Sequence, residues 1–183
     1  CRTSGILVRT TGVRITPILP PTKITLVAKL MNLFAVLPLL KARLADLPDV
    51  HTVQSIQELA QLLEQRDIQP IDNALYVGLD GYAPINQTAG NKRMKKKRLS
   101  FSVILAKQFY GAVDVPHEDI ATGEMLHRIC ASLQGWQPET ADQRPMTITP
   151  FDEVQAVEPL YYDNFALYPL RFETEILINY SKD

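Results

Sequence analysis

The sequence predicts an α+β fold, in which two or three helices pack on one antiparallel-dominated sheet. Three observations support this fold class. Apolar residues recur at helical spacing in three segments, they alternate with polar residues in others, and the clearest alternation lies near the carboxyl terminus. With 183 residues, of which 46% are hydrophobic, the chain is long enough to bury a sizeable core in a single domain.

The first thirty residues differ in composition from the rest of the sequence. They contain five basic residues, no acidic residue and three prolines, Pro17, Pro20 and Pro21. Two interpretations stay open for this segment: an extension or flexible amino-terminal arm, or a real strand from Lys23 to Leu30. A helical pattern then opens at Met31, as it would after a natural start codon. We therefore expect residues 31–183 to form one α+β domain.

Two helices with a short strand between them follow this segment. In the first helix, Pro38 marks a kink or the start of the regular part. Asp49 to Gln54 can form the strand. Ser55-Ile56-Gln57-Glu58 is a capping box, in which Ser55 and Glu58 satisfy each other's backbone amides at the start of the second helix. The predicted inward-facing residues are Leu33, Leu37, Leu40, Leu44 and Leu47 in the first helix and Ile56, Leu59, Leu62 and Leu63 in the second.

Two strands come next and flank a long polar connection. We predict the strands from Ala74 to Leu79 and from Leu99 to Gln108, where apolar and polar residues alternate. The connection of nearly twenty residues between them is uncommon in a compact domain, and such loops are usually functional or disordered. Its far end, or the base of the second strand, carries a basic run. The run contains Lys92, Arg93, Lys95, Lys96, Lys97 and Arg98.

A third helix and the carboxyl-terminal strands complete the predicted fold. Asp114 or a residue nearby caps the helix, Pro116 lies in its first turn and Gly135 ends it. Its predicted buried face consists of Ile120, Leu126, Ile129, Cys130 and Leu133. Thr147 to Thr149 and Glu153 to Leu160 are predicted as short strands. In the last strand one face consists of Leu170, Phe172, Thr174, Ile176 and Ile178 and the other of Arg171, Glu173, Glu175 and Asn179.

The sequence contains no catalytic motif. The eight glycines form neither a phosphate-binding loop nor a dinucleotide fingerprint, and His51, His117 and His127 lack a second histidine at zinc-site spacing. Cys130 is expected to be a buried free thiol. We therefore predict a protein that is not an enzyme and has no catalytic, cofactor-binding or metal-binding residue. The uncharged stretch around Leu30 to Leu40 is also well short of the roughly 20 residues that span a bilayer, so no membrane is expected.

The basic run stands out against an acidic chain. From Met31 onward there are 14 basic and 20 acidic residues; without the run, eight and twenty remain, a net charge of −12. The run can be a solvated disordered loop, a phosphate-binding element or a contact with an acidic protein surface. It has neither interleaved aromatic residues for stacking on single strands nor a following recognition helix. This favours contact with protein, including a neighbouring copy of the chain.

A group of aromatic residues is a second candidate for an interaction site. Packing in the core and at the edge of the final strand is the favoured interpretation. The alternative is an interface, where Tyr and Trp are enriched. The group consists of Trp136, Tyr161, Tyr162, Phe165 and Tyr168.

In the order of its predicted elements and in several short sequence segments, the chain from Met31 onward resembles the tail terminator proteins of tailed phages, particularly the Mu-like minor tail family. Ala74-Leu75-Tyr76-Val77 is followed by a long loop and then by Phe101-Ser102-Val103-Ile104-Leu105. A helix ends in Leu133-Gln134-Gly135-Trp136-Gln137-Pro138. The last matching segments, near the carboxyl terminus, are Tyr161-Tyr162-Asp163-Asn164-Phe165-Ala166-Leu167-Tyr168 and, shortly after it, Phe172-Glu173-Thr174-Glu175.

This resemblance implies a virion tail subunit, assembled in the host bacterial cytoplasm, that forms a homohexameric ring without a cofactor. Such a ring caps the tail tube, stops its polymerisation and offers an attachment surface to the head–tail connector or neck protein. DNA only passes through, and an acidic lumen repels it. The basic run would then contact an acidic neighbour or the last tube ring. Two alternatives stay open: another neck or tail-completion ring protein, and a nucleic-acid-binding accessory protein that uses the basic run.

Overall fold

The computed structural model describes residues 32–64, 69–85, 93–109, 119–154 and 157–180. In chain order the helices and strands are α1 (Leu37–Ala45), β1 (Thr52–Ser55), α2 (Ile56–Glu64), β2 (Ala74–Pro84), β3 (Met94–Gln108), α3 (Ile120–Leu133), β4 (Asp152–Glu153), β5 (Leu160–Tyr162) and β6 (Phe165–Asn179). The predicted α+β class is confirmed, since three helices accompany one mostly antiparallel sheet in the described ranges. The amino-terminal segment that was interpreted as an arm or a strand lies outside them.

The sheet is built around the pairing of β3 with β6. Its strand order is β1-β2-β3-β6-β4, and β5 pairs with β6 as well. β1 and β2 are parallel, whereas the other pairs are antiparallel. The β3–β6 register runs from Met94 opposite Asn179 to Gln108 opposite Phe165, so that every residue of both strands has a partner. These two strands hold the other elements together.

One face of the sheet forms the main core. Successive side chains of a strand point to opposite faces, so alternate residues of β3 and β6 enter this core together. The predicted face of the last strand is confirmed, because Leu170, Phe172, Thr174, Ile176 and Ile178 are all buried. Helices α1 and α3 cover this face with Leu40, Leu44, Met125, Ile129 and Leu133. An aromatic stack closes one side, with ring centroids of Phe101 and Phe151 5.4 Å apart.

The opposite face is covered only in part. Leu59 of α2 packs with Ala74, Tyr76, Ala106 and Leu167 at one end of the sheet, forming a second and smaller apolar cluster. Nine residues of helix extend about 13 Å, which is too short to cover the longer strands beneath. Polar side chains occupy the remainder of this face.

The start of α2 is fixed by the predicted capping box. The Ser55 amide donates to Glu58 Oε2 at 2.9 Å, and the Glu58 amide donates to Ser55 Oγ at 3.3 Å. Pro38 occupies the first turn of α1, which confirms that it marks the start of the regular helix rather than a kink in its middle. The strand before α2 begins at Thr52 rather than Asp49, because Asp49 adopts a left-handed conformation with φ of 67° that no strand accepts.

The predicted start of α3 was wrong. Asp119 caps the helix, since its carboxylate accepts hydrogen bonds from the amides of Ala121 and Thr122. Asp114 and Pro116 lie outside the described residues. Ile120 therefore occupies the first helical position and is 78% exposed, so its predicted burial is corrected too. The predicted stop is confirmed: Gly135, with φ of 76°, follows the helix in the left-handed region.

Two strand assignments also require correction. β3 starts at Met94 and not at Leu99, so most of the basic run is strand and the connection from β2 is shorter than predicted. Thr147 to Thr149 is not a strand: the Ile148 amide donates to the Glu175 carbonyl, but the adjoining bonds involve side chains, since Thr174 Oγ1 donates to the Thr149 carbonyl at 2.6 Å. In place of a strand from Glu153 to Leu160, the separate short strands β4 and β5 border β6.

We predict that replacing Gly78 by Ala destabilises the fold. A Cβ at Gly78 would lie 2.7 Å from Ile56 Cγ2 and 3.0 Å from Ile56 Cβ, so the start of α2 would have to move away from β2. Such overpacking costs about 1–3 kcal/mol of the free energy of unfolding, measurable by urea denaturation. Gly81→Ala in the same strand is the control, since nothing lies within 4 Å of its Cβ position. Equal stability of both variants would contradict this account of the α2–β2 contact.

Candidate interaction surface

The basic run lies at one end of the sheet, where β3 begins and β6 ends. We call the described part of it, Arg93, Lys95, Lys96, Lys97 and Arg98, the basic end of β3. Lys92 lies outside the described residues. Because strand residues alternate between faces, neighbours in this run enter different surroundings. A run of similar charges in the sequence therefore becomes several distinct sites.

Lys97 points to the face that carries the core. It is only 9% exposed, and its Nζ lies 4.2 Å from the ring centroid of Tyr82 and 5.5 Å from that of Tyr180. These distances are typical of cation–π contacts. Over the described ranges, no carboxylate lies within ion-pair distance of this ammonium group. Lys97 is thus a nearly buried cation held by two aromatic rings.

Arg98 points to the opposite face and is paired within the chain. Its guanidinium lies 3.6 Å from Glu173 and 3.7 Å from Glu175, both on the neighbouring strand β6. Ser100 donates a further hydrogen bond of 3.0 Å to Glu173. Arg98 is half-exposed, so these ion pairs are screened by water and orient the side chain more than they stabilise the fold.

A second polar group continues along the same face. Ser102 Oγ donates to Asp80 Oδ2 at 2.6 Å, and Arg171 Nε lies 3.2 Å from the same oxygen. The Arg171 Nε–H is buried without a well-aligned hydrogen bond, so this contact is an ion pair rather than a directed bond. The open half of the sheet consequently carries charges that are paired within the chain, unlike Lys95 and Lys96 at the basic end.

Lys95 and Lys96 have surroundings that differ from those of Lys97 and Arg98. Lys95 is exposed and Lys96 is half-buried, and neither forms an ion pair with any described carboxylate. The turn residue Arg93 is exposed next to them, and its carbonyl accepts a hydrogen bond of 2.8 Å from the Tyr180 amide. The basic end is therefore anchored in the sheet through backbone pairing, while the Lys95 side chain is exposed to solvent.

The structure separates the five candidate aromatic residues. Phe165 and Tyr168 are buried, and Trp136 packs on Phe151 with ring centroids 5.1 Å apart. Arg43 lies over the Trp136 ring at 5.1 Å. Tyr162 is half-buried. Tyr161, by contrast, is 52% exposed on β5, where it meets Phe109 edge-on at 6.5 Å.

An apolar groove lies beside α2 and was not predicted from the sequence. It encloses about 200 Å³ between α2 and the strands below it, and its rim includes Leu160, which is 60% exposed. Its lining residues are Ile56, Leu59, Ala60, Leu63, Ile104, Leu160, Leu167 and Pro169. These residues come from four separate elements, so no local sequence pattern could indicate the groove. Hydrophobicity of this kind at a surface is typical of a protein contact.

The described histidines and Cys130 are the side chains of the types that most often bind metals or act as nucleophiles. Among the residues that the structure describes, no three His, Cys, Asp or Glu side chains come together as a metal site would require. His51 and His127 are exposed and lie on different elements, while His117 is outside the described residues. Burial, with the nearby Glu153 carboxylate, raises the pKa of the Cys130 thiol to about 11. Because the thiolate is the reactive form, Cys130 is not an activated nucleophile.

Comparison with known proteins assigns the chain to a family. A family model described as phage tail terminator protein matches residues 30–182, which is 153 of the 183 residues. The curated proteins contain no match to this chain. No described helix is long and apolar enough to cross a membrane. The match covers the same part of the chain on which the resemblance rested, and the predicted family is confirmed.

We predict that Cys130 reacts slowly with thiol reagents in the folded protein. With a pKa of about 11 in place of 9.0, its thiolate fraction at pH 8 falls roughly a hundredfold. In a Cys1→Ser background, the rate of alkylation by iodoacetamide should rise about tenfold per pH unit up to pH 10 without levelling. The same chain unfolded in urea is the control and should level near pH 9. Similar rates at pH 8 in both states would contradict the assignment.

Proposed function

Because this chain belongs to the phage tail terminator family, which has a structural role in tail completion, we propose that it forms a ring that caps the tail tube. The ring, a homohexamer, stops polymerisation of the tube and offers the head–tail connector or neck protein an attachment surface. Its subunits assemble in the host cytoplasm and become part of the virion tail. As a component of the virion it interacts with other phage tail or head proteins.

The observation that carries the ring proposal is the separation of charge along the chain. Outside the basic run, the chain from Met31 onward has eight basic and twenty acidic residues. The exposed Lys95 and the half-buried Lys96 lie at one end of the sheet, together with Arg93 and, in sequence, Lys92. A positive patch and a negative body on one subunit favour contact between unlike surfaces of neighbouring copies.

Contacts between unlike surfaces suit a ring. A heterologous interface repeats from copy to copy, and it closes into a ring when the rotation between subunits allows. In this arrangement the basic end of β3 faces an acidic surface of the next subunit. The apolar groove beside α2 is then left for the tail tube or the neck protein. This division gives each of the two surfaces one kind of partner.

The acidic body also suits a ring through which DNA passes. Carboxylates that line a lumen repel the phosphate backbone and keep it from binding. Direct DNA binding by the basic run gains no support from the structure, because Arg98 is paired with two glutamates and Lys97 is nearly buried. A gel shift at low and moderate salt separates the two functions, since phosphate binding weakens steeply with salt.

The decisive experiment on the proposed function is a measurement of oligomeric state. Native mass spectrometry and negative-stain images of the chain, with and without purified tail tube, should reveal a closed ring and rings seated at tube ends. Addition of the chain to a growing tube should fix its length. A strict monomer under both conditions would overturn the proposal.

We predict that Lys95→Ser together with Lys96→Ser weakens ring assembly. Exposed ion pairs contribute about 0.2–1 kcal/mol each, so the dissociation constant should rise roughly two- to thirtyfold at low salt. Sedimentation velocity over a concentration series measures it. The difference from the unmodified chain should shrink at high ionic strength, because salt screens exposed charges.

The matched control removes the same charge elsewhere. Lys41→Ser with Arg144→Ser takes two cations from α1 and from the turn after α3, so the net charge changes equally. This pair should leave the dissociation constant nearly unchanged. If both double variants assemble alike, the basic end of β3 is not the contact, although a ring could still form.

A further inference from the structure

Lys97 has surroundings that differ from those of the other lysines at the basic end. Its side chain lies on the core-facing side of β3, in the row that continues with Leu99 and Phe101. The rings of Tyr82 and Tyr180 stand on either side of its ammonium group, at 4.2 Å and 5.5 Å. Tyr82 comes from β2 and Tyr180 follows β6, so the three central strands build this site together.

The ammonium group in this site is incompletely satisfied. A lysine ammonium has three N–H donors, and an aromatic face attracts the charge without replacing the hydrogen bonds of water. Burial of a cation is unfavourable unless it is paired. In the described part of the chain Lys97 has neither an ion pair nor a hydrogen bond of its side chain. Among the described residues, the site thus offers this ammonium no group that carries negative charge and accepts hydrogen bonds.

The opening of the site is lined by surfaces suited to a protein partner. Tyr82 is 54% exposed and Tyr180 is 52% exposed, so a partner that covers Lys97 also buries both rings. Tyrosine is enriched among the central residues that dominate binding energy in interfaces. A free anion would cover far less of this apolar area. The rings therefore favour a protein carboxylate over a small ion.

A second copy of the chain can supply that carboxylate. Its body carries a net charge of −12 outside the basic run, counted from Met31. Exposed carboxylates at Glu64, Glu139 and Glu158 form no ion pair within the described ranges. Complementary charge thus argues for a neighbouring subunit as the occupant.

We propose that the Tyr82–Lys97–Tyr180 site is the central contact between subunits, in which Lys97 binds a carboxylate of a second copy of the chain. This inference rests on the proposed ring and names the residues that hold it together. Lys95 and Lys96 attract the neighbour at longer range, whereas Lys97 holds it once water has left the site. Among the described lysines of the basic end, only Lys97 combines contacts to two aromatic rings with a side chain that is nearly buried.

The test compares two lysines on the same face of one strand. Lys97→Met keeps an unbranched side chain of similar volume between the rings but removes the charge, and Lys95→Met removes one charge from the exposed position two residues away. Sedimentation velocity should give a dissociation constant at least about thirtyfold higher for Lys97→Met. For Lys95→Met the increase should stay below about fivefold. Lys97→Met should remain weak at high salt, where the Lys95→Met difference disappears.

A second measurement needs no substitution and therefore does not depend on how well a variant folds. Rings assembled from equal parts of ¹⁴N-labelled and ¹⁵N-labelled chain are treated with a carbodiimide, which joins a lysine to a carboxylate that it contacts. We expect Lys97 peptides joined to acidic peptides of the other label. The inference would be overturned if Lys97 were cross-linked only to peptides of its own label. It would also be overturned if Lys97 were not cross-linked at all while Lys95 was.

The outcomes distinguish this inference from the proposed function. If the unmodified chain forms rings but Lys97→Met assembles no worse than Lys95→Met, the ring stands and the Lys97 contact is wrong. If the unmodified chain stays monomeric with and without tail tube, the ring itself is wrong and the contact is wrong with it.

Discussion

The antiparallel pairing of β3 with β6 is the constraint on which the rest of the structure depends. Each strand has fifteen residues, which at about 3.4 Å per residue makes a ribbon about 50 Å long. The longest helix, α3, has fourteen residues and extends only about 21 Å. Helices of this length cannot cover the whole ribbon on either face. The part of the sheet that no helix covers must therefore carry polar residues or be covered by another protein.

Strand geometry also determines what the basic run becomes. Because β3 already starts at Met94, its side chains alternate between the core-facing side and the open side. Arg98 meets two glutamates of β6 on the open side, whereas Lys97 enters an aromatic site on the other. A flexible loop would let these charges spread and repel. Pairing with β6 fixes them in place, so each has its own environment.

The sequence predicted those elements whose local chemistry agrees with their tertiary role. The last strand has a strict alternation, and the capping box at Ser55 closes as predicted, because both depend on residues a few positions apart. β3 begins earlier than predicted because consecutive lysines show no alternation of apolar and polar residues. Their strand conformation depends on the pairing with β6, which the local sequence does not indicate. Ile120 was misplaced because the cap at Asp119 fixes the helical phase. The groove beneath α2 brings distant segments together, which no local pattern encodes.

In the proposed ring, charge and shape have different tasks. Contacts between unlike surfaces build an open filament when the rotation between copies does not close into a ring. A subunit that ends polymerisation of the tube therefore needs a rotation that closes the ring. Screened surface charges act over about 8–10 Å and do not fix an angle, so Lys95 and Lys96 can bring copies together but cannot set the rotation. A fixed angle needs side chains that are themselves fixed. Lys97, between two rings carried by the paired central strands, satisfies that requirement, and the rigidity of the β3–β6 ribbon transmits its orientation to the whole subunit.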